Sequence, residues 1–415
     1  MSENNNIIGT SFFNRPNVRV DNINVAGGIP FGIESVTNSS INIGGAYCAW
    51  GKSFDNDQLP AFVGMRMHEE FSKEESMNLS ELGFVSRHHI PDLSDDEHLE
   101  LELEVGTRLL KEAIIANHWA ADEIEGVLIG TSAPVSLDYA EEISRRAGIK
   151  KDALIVSVHK ACDGSMGALH LALNPRLSTP SGFNIANKLA GKKVLVGGIE
   201  GLSRFTSHAR DKNALQLFGN GAGVIGVIPG VTMKFLAGKS FENYDEEGLL
   251  QVRMFYPHAR KADVNHSMLE IQEYAPNRLR IAGLMHEPEG GYPIVMAGLM
   301  GMVKLFVRSG VSVVTEVMAE YTSLMEKIGT PERKIDIGIV HHANYKINLL
   351  KAKQLLKEGI DYPMPWLLND FGNVSAASCM IAFLRQLNSL KPGEHVMFDG
   401  FGAGTYYDVM AIELG

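Results

Sequence analysis

One cysteine, Cys162, stands where nucleophilic chemistry is easiest. It follows the apolar run Leu154 to Val158 through a short turn and precedes Gly-Ser-Met-Gly-Ala-Leu-His-Leu-Ala-Leu, a small-residue stretch that reads as a helix. A thiol at a buried helix N-terminus meets the positive end of the dipole and unpaired N–H groups, both of which favour thiolate. A lone cysteine is more often an inert core residue, so its companions decide the matter. His341 comes directly after Ile335 to Val340, in His341-His342-Ala343-Asn344, at the kind of strand end where open α/β sheets carry their ligands. An imidazole there is poised for proton transfer or hydrogen bonding, although a satisfied core histidine is an equal alternative. Asn373 lies in Phe371-Gly-Asn-Val-Ser-Ala-Ala-Ser, a glycine turn that opens another small-residue helix, where a turn or cap role is as natural as a chemical one. A fourth segment, Gly400-Phe-Gly-Ala-Gly-Thr-Tyr, resembles a tight turn able to present a bare backbone N–H.

The elements that must position these residues are short β-branched runs separated by amphipathic stretches. The runs Ile41-Asn-Ile, Val127-Leu-Ile, Leu154-Ile-Val-Ser-Val and Val194-Leu-Val predict strands buried on both faces of an α/β protein. Leu99 to His118, acidic at its start, predicts a helix. The second half repeats the grammar: helix around Met300 to Ile328, strand Ile335 to Val340, helices from Asn344 to Glu358 and Ser375 to Leu390, strand Val396 to Asp399. Residues 1 to about 40, rich in Asn, Ser and Gly, show no period and read as an irregular extension. The polar, Pro/Gly-punctuated stretch near 241–293 reads as an insertion over the surface.

Composition excludes several functions. The 415 residues carry 38 Lys+Arg against 49 Asp+Glu, a formal charge of -11, so a broad electrostatic grip on nucleic acid or anionic lipid is not expected. Three cysteines make no disulfide framework, no secretory signal precedes the first helix, and no stretch matches a membrane span, which together point to the cytoplasm. The sequence shows no metal-ligand cluster and no dinucleotide or P-loop fingerprint.

In their order the four segments resemble the thiolase superfamily, and within it the β-ketoacyl-acyl carrier protein synthase III group of condensing enzymes. The resemblance runs from about Ile41 to Leu414 through Ala161-Cys162-Asp-Gly-Ser, Phe218-Gly-Asn-Gly-Ala-Gly, Met296-Ala-Gly, His341-His-Ala-Asn344-Tyr-Lys-Ile, Gly372-Asn373-Val-Ser-Ala-Ala-Ser and Phe401-Gly-Ala-Gly404. It implies an α/β thiolase fold, two related halves forming a five-layered α-β-α-β-α core, and a homodimer. Residues 41–230 would carry the nucleophile, and 231–415 the His and Asn. It further implies decarboxylative Claisen condensation of a Cys-bound acyl group with a malonyl or β-ketoacyl thioester, in fatty acid or polyketide assembly. By position, Cys162 resembles the acyl acceptor, His341 and Asn373 the pair that binds the enolate oxygen, and the N–H groups of Cys162 and Gly404 the oxyanion hole. Asn344, Lys212 and Leu137 resemble contacts to the substrate and its pantetheine arm, and Lys346 a docking residue for acyl carrier protein. No tightly bound cofactor is implied; substrates would arrive on phosphopantetheine of a carrier protein or coenzyme A.

Departures from the pattern matter too. Asp163 follows the nucleophile where the family has a small neutral residue; a carboxylate there raises the thiol pKa unless it turns away or is paired, and it is expected to turn away. Met77, Glu81 and Lys212 replace residues that grip coenzyme A, which favours presentation on a carrier. Leu137 replaces a bulky aromatic that in the family crosses the dimer to close the acyl pocket, implying a longer or wider acyl group. Met296, Met300 and Met302 could line an acyl tunnel, though core filling is commoner for such residues. Cys48 and Cys379 read as structural. Alternatives are a ketosynthase-cyclase joining two β-ketoacyl chains, as in dialkylresorcinol or stilbene pathways, and a thiolase-fold acyltransferase without decarboxylation, against which Asn373 speaks.

Overall fold

Two sheets organise the chain. In the computed structural model, which describes residues 11–132, 134–177, 183–209, 211–242, 253–254, 269–283, 294–295, 299–402 and 406–415, strands are numbered in chain order. The larger sheet runs, in space, β1 (Arg19–Ile23), β2 (Ile29–Asn38), β3 (Ile43–Trp50), β9 (Gly221–Val227), β8 (Val194–Glu200), β6 (Gly126–Gly130), β7 (Leu154–His159), β13 (Arg278–Gly283) and β12 (Leu269–Ala275). The smaller runs β10 (Met233–Glu242), β17 (Tyr406–Leu414), β16 (His395–Gly402) and β15 (Ile337–Val340). Two short antiparallel pairs stand apart, β4 (Lys52–Asp55) with β5 (Ser86–His89) and β11 (Arg253–Met254) with β14 (Ile294–Val295). The helices are α1 (Leu59–Met67), α2 (Asp95–Ala116), α3 (Tyr139–Arg146), α4 (Gly164–Leu173), α5 (Ile185–Leu189), α6 (Leu202–Ala209), α7 (Lys212–Leu217), α8 (Leu299–Lys327), α9 (Tyr345–Lys357) and α10 (Ser378–Gln386).

Five layers result. Helices α2 and α3 cover one face of the larger sheet, α4 and α10 lie between the two sheets, and α8, with α9 against it, covers the far side of the smaller sheet. Their sequences suit these places. Helix α2 opens on a capping box in which Ser94 and Glu97 satisfy each other's backbone N–H groups, with Asp95, Asp96 and Glu97 at the positive end of its dipole. Helix α4 is buried along nearly its whole length, as a helix sandwiched between sheets must be. Its approach requires glycine: a Cβ on Gly130 of β6 would stand 2.2 Å from the Gly164 carbonyl carbon, and one on Gly198 of β8 would stand 2.4 Å from the Ala376 oxygen. Among the described residues no helix is long and apolar enough to cross a membrane.

Two expectations change. The stretch read as irregular up to residue 40 contains β1 and β2, which pair antiparallel and extend the larger sheet beyond β3. Strand β1 escaped notice because four of its five residues face solvent, which leaves no apolar alternation. Part of the stretch near 241–293 is a hairpin, β12–β13, with β13 laid parallel along β7 in the register Ile155↔Arg278 to His159↔Ala282. Strand β7 is therefore hydrogen-bonded on both sides, to β6 and to β13.

Candidate active site

The turn bearing Cys162 is a single 3-10 turn, Ala161–Asp163, between β7 and α4. Ala161 has φ 48°, a left-handed conformation that costs a non-glycine residue about 1–3 kcal/mol and that clusters at functional turns. Cys162 is partly exposed, whereas Cys48 and Cys379 are buried, and burial pushes both of their thiols up. Gly402, at the end of β16, lies against the turn: a Cβ there would come within 3.1 Å of the Cys162 nitrogen. Gly404 and Met296 fall outside the described residues, and only the helical placement of Met300 and Met302 in α8 is described.

His341 and Asn373 are tied together by one loop. Asn373 precedes a second 3-10 turn, Ser375–Ala377, which packs against the Ala161–Asp163 turn and leads directly into α10. Ser375 is again left-handed, with φ 44°. The Asn373 side-chain oxygen accepts the Ser375 N–H at 2.8 Å, and its amide nitrogen donates to the Ala343 carbonyl at 3.4 Å. Ser378, at the start of α10, places its hydroxyl 2.5 Å from His341 Nδ1. His341 donates its backbone N–H to the Asp399 carbonyl at 3.0 Å, and the Phe401 ring meets the imidazole edge-on. Burial, then neighbouring His342 and Lys351, hold the His341 pKa down to about 3, so the imidazole is neutral at ordinary pH. Lys351 reaches this region from α9 as a buried ion pair with Asp399 at 2.6 Å.

Two acidic groups bound to the loops around Cys162 and Asn373 carry no strong signal in the sequence. Glu200, the last residue of β8, accepts the Ser132 N–H at 2.7 Å, the Ser132 hydroxyl at 2.6 Å and the Ala376 N–H at 3.2 Å. The Ser132 hydroxyl also lies 3.0 Å from that of Ser375, so Glu200 joins the loop after β6 to the loop carrying Asn373. Burial pushes Glu200 up to about 8. Asp408, on β17, is gripped by the Lys160 ammonium and by His170 Nδ1 at 2.7 Å, and these cationic and hydrogen-bonding partners hold it well below the usual carboxylate range. Asp163 joins this cluster. It is fully buried, 3.7 Å from Lys160 and against Gly400, and burial beside Asp408 lifts its carboxyl well above the ordinary value. Asp163 is thus turned into the core, where the Lys160 ammonium faces it. The sequence signal for Glu200 was a carboxylate closing an apolar strand, the position where ligands gather in α/β sheets.

The remaining predicted residues have local partners. Asn344 is the N-cap of α9, accepting the Ile347 N–H at 2.9 Å. Lys212 pairs with Glu69 at 2.7 Å and faces Glu75 at 3.8 Å, and Lys346 pairs with Glu81. Met77 packs into the apolar cluster of α1 and α7 beside Phe71. Leu137 is half-buried, and its carbonyl accepts Arg280 Nε of β13 at 3.1 Å. Among the described residues no group of three His, Cys, Asp or Glu could hold a metal ion.

Residues 325–414 match the family described as 3-oxoacyl-[acyl-carrier-protein (ACP)] synthase III C terminal. The chain is 27% identical over 344 residues to β-ketoacyl-[acyl-carrier-protein] synthase III 1 of Halalkalibacterium halodurans, covering 80% of this chain and 88% of that protein. Among solved structures it resembles the 3-oxoacyl-[acyl-carrier-protein] synthase III of Aquifex aeolicus, with TM-score 0.57 and 19% identity over 95% of this chain and 99% of that one. It also resembles the priming β-ketosynthase of the R1128 polyketide pathway, with TM-score 0.58 and 21% identity over 92% of this chain and 96% of that one. The five layers described above are those of the thiolase fold.

Proposed function

We propose that this chain is a β-ketoacyl-acyl carrier protein synthase III-like condensing enzyme of the thiolase superfamily, an acyltransferase of fatty acid or polyketide biosynthesis, and that it builds a carbon–carbon bond on Cys162. The acyl group of a thioester moves to the Cys162 sulfur, and the donor leaves as a thiol. A malonyl thioester then loses CO2, and the electrons of the broken bond form an enolate. The enolate carbon attacks the acyl-Cys162 carbonyl, and the tetrahedral intermediate collapses to a β-ketoacyl thioester and the free Cys162 thiolate.

The observation that carries this reading is the single loop that presents Asn373, packs against the turn of Cys162 and, through Ser378, holds His341. With the Ser378 hydroxyl donating to Nδ1, the imidazole proton sits on Nε2, and a neutral His341 and the Asn373 amide become two donors for the enolate oxygen without a competing base. The Cys162 N–H, with that of Gly404, would hold the oxygen of the tetrahedral intermediate. Asn344, Lys212 and Leu137 would line the way in for a phosphopantetheine arm, delivered by an acyl carrier protein docked beside Lys346 or by coenzyme A.

The two acidic partners, Glu81 and Glu69, must yield those lysines for docking, which makes carrier binding a competition among charges. A reducing cytoplasmic setting fits three cysteines, too few and too odd in number for a disulfide framework. A homodimer is part of the proposal, but a second copy cannot add as a strand at β7, because β13 is already there. In the test, Cys162→Ala abolishes acylation seen by intact-protein mass spectrometry, while His341→Ala and Asn373→Ala keep it and lose malonyl decarboxylation by about 100- to 1000-fold each. Wild-type acylation in Cys162→Ala would overturn the assignment.

A further inference from the structure

The loop that carries Asn373 is gripped by residues from the other end of the sequence. Three residues before the asparagine, Asp370 is fully buried and accepts charge-assisted hydrogen bonds from two arginines. Arg385 of α10 supplies a forked pair, Nη1 to one carboxylate oxygen at 2.6 Å and Nη2 to the other at 3.0 Å. Arg15 supplies a third bond, its Nε meeting Oδ2 at 3.1 Å across 355 residues of sequence. Phe371, the next residue, is also fully buried. Its ring centre stands 4.8 Å from that of Phe12, and the Arg385 guanidinium carbon lies 4.7 Å from it.

Phe12 opens a short 3-10 turn, Phe12–Asn14, and Arg15 closes it. That turn is seated on elements remote from the loop it grips. Phe13 lies where a side chain on Gly32 of β2 would have to go, 2.6 Å from a Cβ placed there, and its ring centre is 4.6 Å from that of His88 on β5. Ser11 bonds Ser53 of β4, hydroxyl to hydroxyl, at 2.9 Å. The turn is thus fixed by β2, β4 and β5, and it presents Phe12 and Arg15 in a set orientation. The loop has little slack between this grip and its own asparagine. Only Phe371 and Gly372 separate Asp370 from Asn373, and Gly372 is left-handed with φ 70°. On the far side the Asn373 N–H is donated to the Leu217 carbonyl at 2.9 Å, so the residue is strung between two anchors.

We infer that the Phe12–Asn14 turn is a clasp that aims the Asn373 amide at the enolate, with Arg15 as a positioning residue and Phe12 as its apolar companion. This rests on the reading of Asn373 as an enolate donor. Arg15 acts through Asp370 and touches no reacting atom. Removing it leaves Asp370 paired with Arg385, so no buried carboxylate is stranded and the fold persists while the loop loses one of its restraints. A group misplaced by about 1 Å costs roughly 100-fold in rate, and a loop still held by Arg385 and Leu217 should lose about tenfold.

The test compares two steps in the full chain: CO2 release from malonyl-coenzyme A, and Cys162 acylation by straight-chain acyl-coenzyme A donors of two to twelve carbons, read by intact-protein mass spectrometry. Arg15→Ala should lower CO2 release about tenfold and leave acylation within twofold. Arg15→Lys, which keeps a cation beside Asp370, should recover part of that loss. Ile23→Ala thins the core under α2, so it should lower thermal stability and leave the ratio of the two rates within twofold. If Arg15→Ala does not fold, Arg15→Gln is read in the same way. Wild-type CO2 release in a folded Arg15 variant overturns the inference. Equal loss of both steps, or the same shift in ratio in Ile23→Ala, overturns it too by marking a general structural effect. A wild-type chain that neither takes an acyl group nor releases CO2 would instead overturn the ketosynthase reading beneath it.

Discussion

Replacing Ser378 by alanine asks whether His341 works as a neutral donor from Nε2. The serine hydroxyl and Nδ1 are 2.5 Å apart and both groups are buried, so the bond has no water to take its place. Alanine leaves a ring nitrogen buried without a partner, a penalty of about 1–3 kcal/mol that falls on the tautomer with its proton on Nε2. Since about 1.4 kcal/mol is a factor of ten in rate, malonyl decarboxylation should drop roughly 5- to 150-fold. Acylation of Cys162, which uses neither group, should stay within twofold. Carbon dioxide release from a malonyl thioester, measured beside acylation by mass spectrometry, separates the two steps. Wild-type decarboxylation in Ser378→Ala would refute the tautomer argument. Equal loss of both steps would assign the serine to the nucleophile turn. The pH profile adds a check. With His341 held down to about 3 and His342 to about 4, decarboxylation should show no imidazole limb near pH 6.5. Both histidines bind protons more readily in the unfolded chain, so their contribution to stability is present above pH 6.5 and declines as the pH falls toward 3–4.

Two further outcomes follow from charged groups. Glu81→Gln releases Lys346 from its ion pair and should improve transfer from an acyl-carrier donor about two- to fivefold at low salt, whereas Lys346→Glu should weaken it; equal transfer by both variants across a salt titration would rule out docking at this lysine. Glu200, raised to about 8, keeps its proton in the folded chain and loses it near 4.5 in the unfolded one, so its share of stability falls as the pH rises from about 4.5 to 8. Denaturant unfolding of Glu200→Gln should be flatter than wild type across that window, and an unchanged slope would show that Glu200 is charged in the folded state.

What could be read from sequence was whatever is local. Cys162, His341 and Asn373 each follow an apolar strand or open a small-residue helix, and a window of ten residues contains that signal. The helix α2 shows its capping box and acidic first turn in the same way. The groups that hold the site carry no such signal, because their partners are remote: Ser132 and Glu200 are 68 residues apart, Ser132 and Ser375 243, and Lys160 and Asp408 248. The hairpin β12–β13 was hidden for another reason. Its strands alternate Glu, Gln and Arg with a few apolar residues, and such a polar edge looks like a surface insertion until β7 supplies the pairing.

The Asp408 contact also bears on the order in which the protein is made. Strand β17 emerges long after the Cys162 turn, yet it supplies the carboxylate that holds Lys160 and His170 on either side of that turn. It also pairs with β10, whose residues emerge about 170 positions earlier, so the smaller sheet closes only once β17 has emerged. Until then the turn bearing Cys162 lacks its charged support, and α4 has one of its two covering sheets missing. A nascent chain without β17 therefore leaves α4 and the Cys162 turn exposed together. Completion of the Cys162 turn thus waits on the arrival of β17.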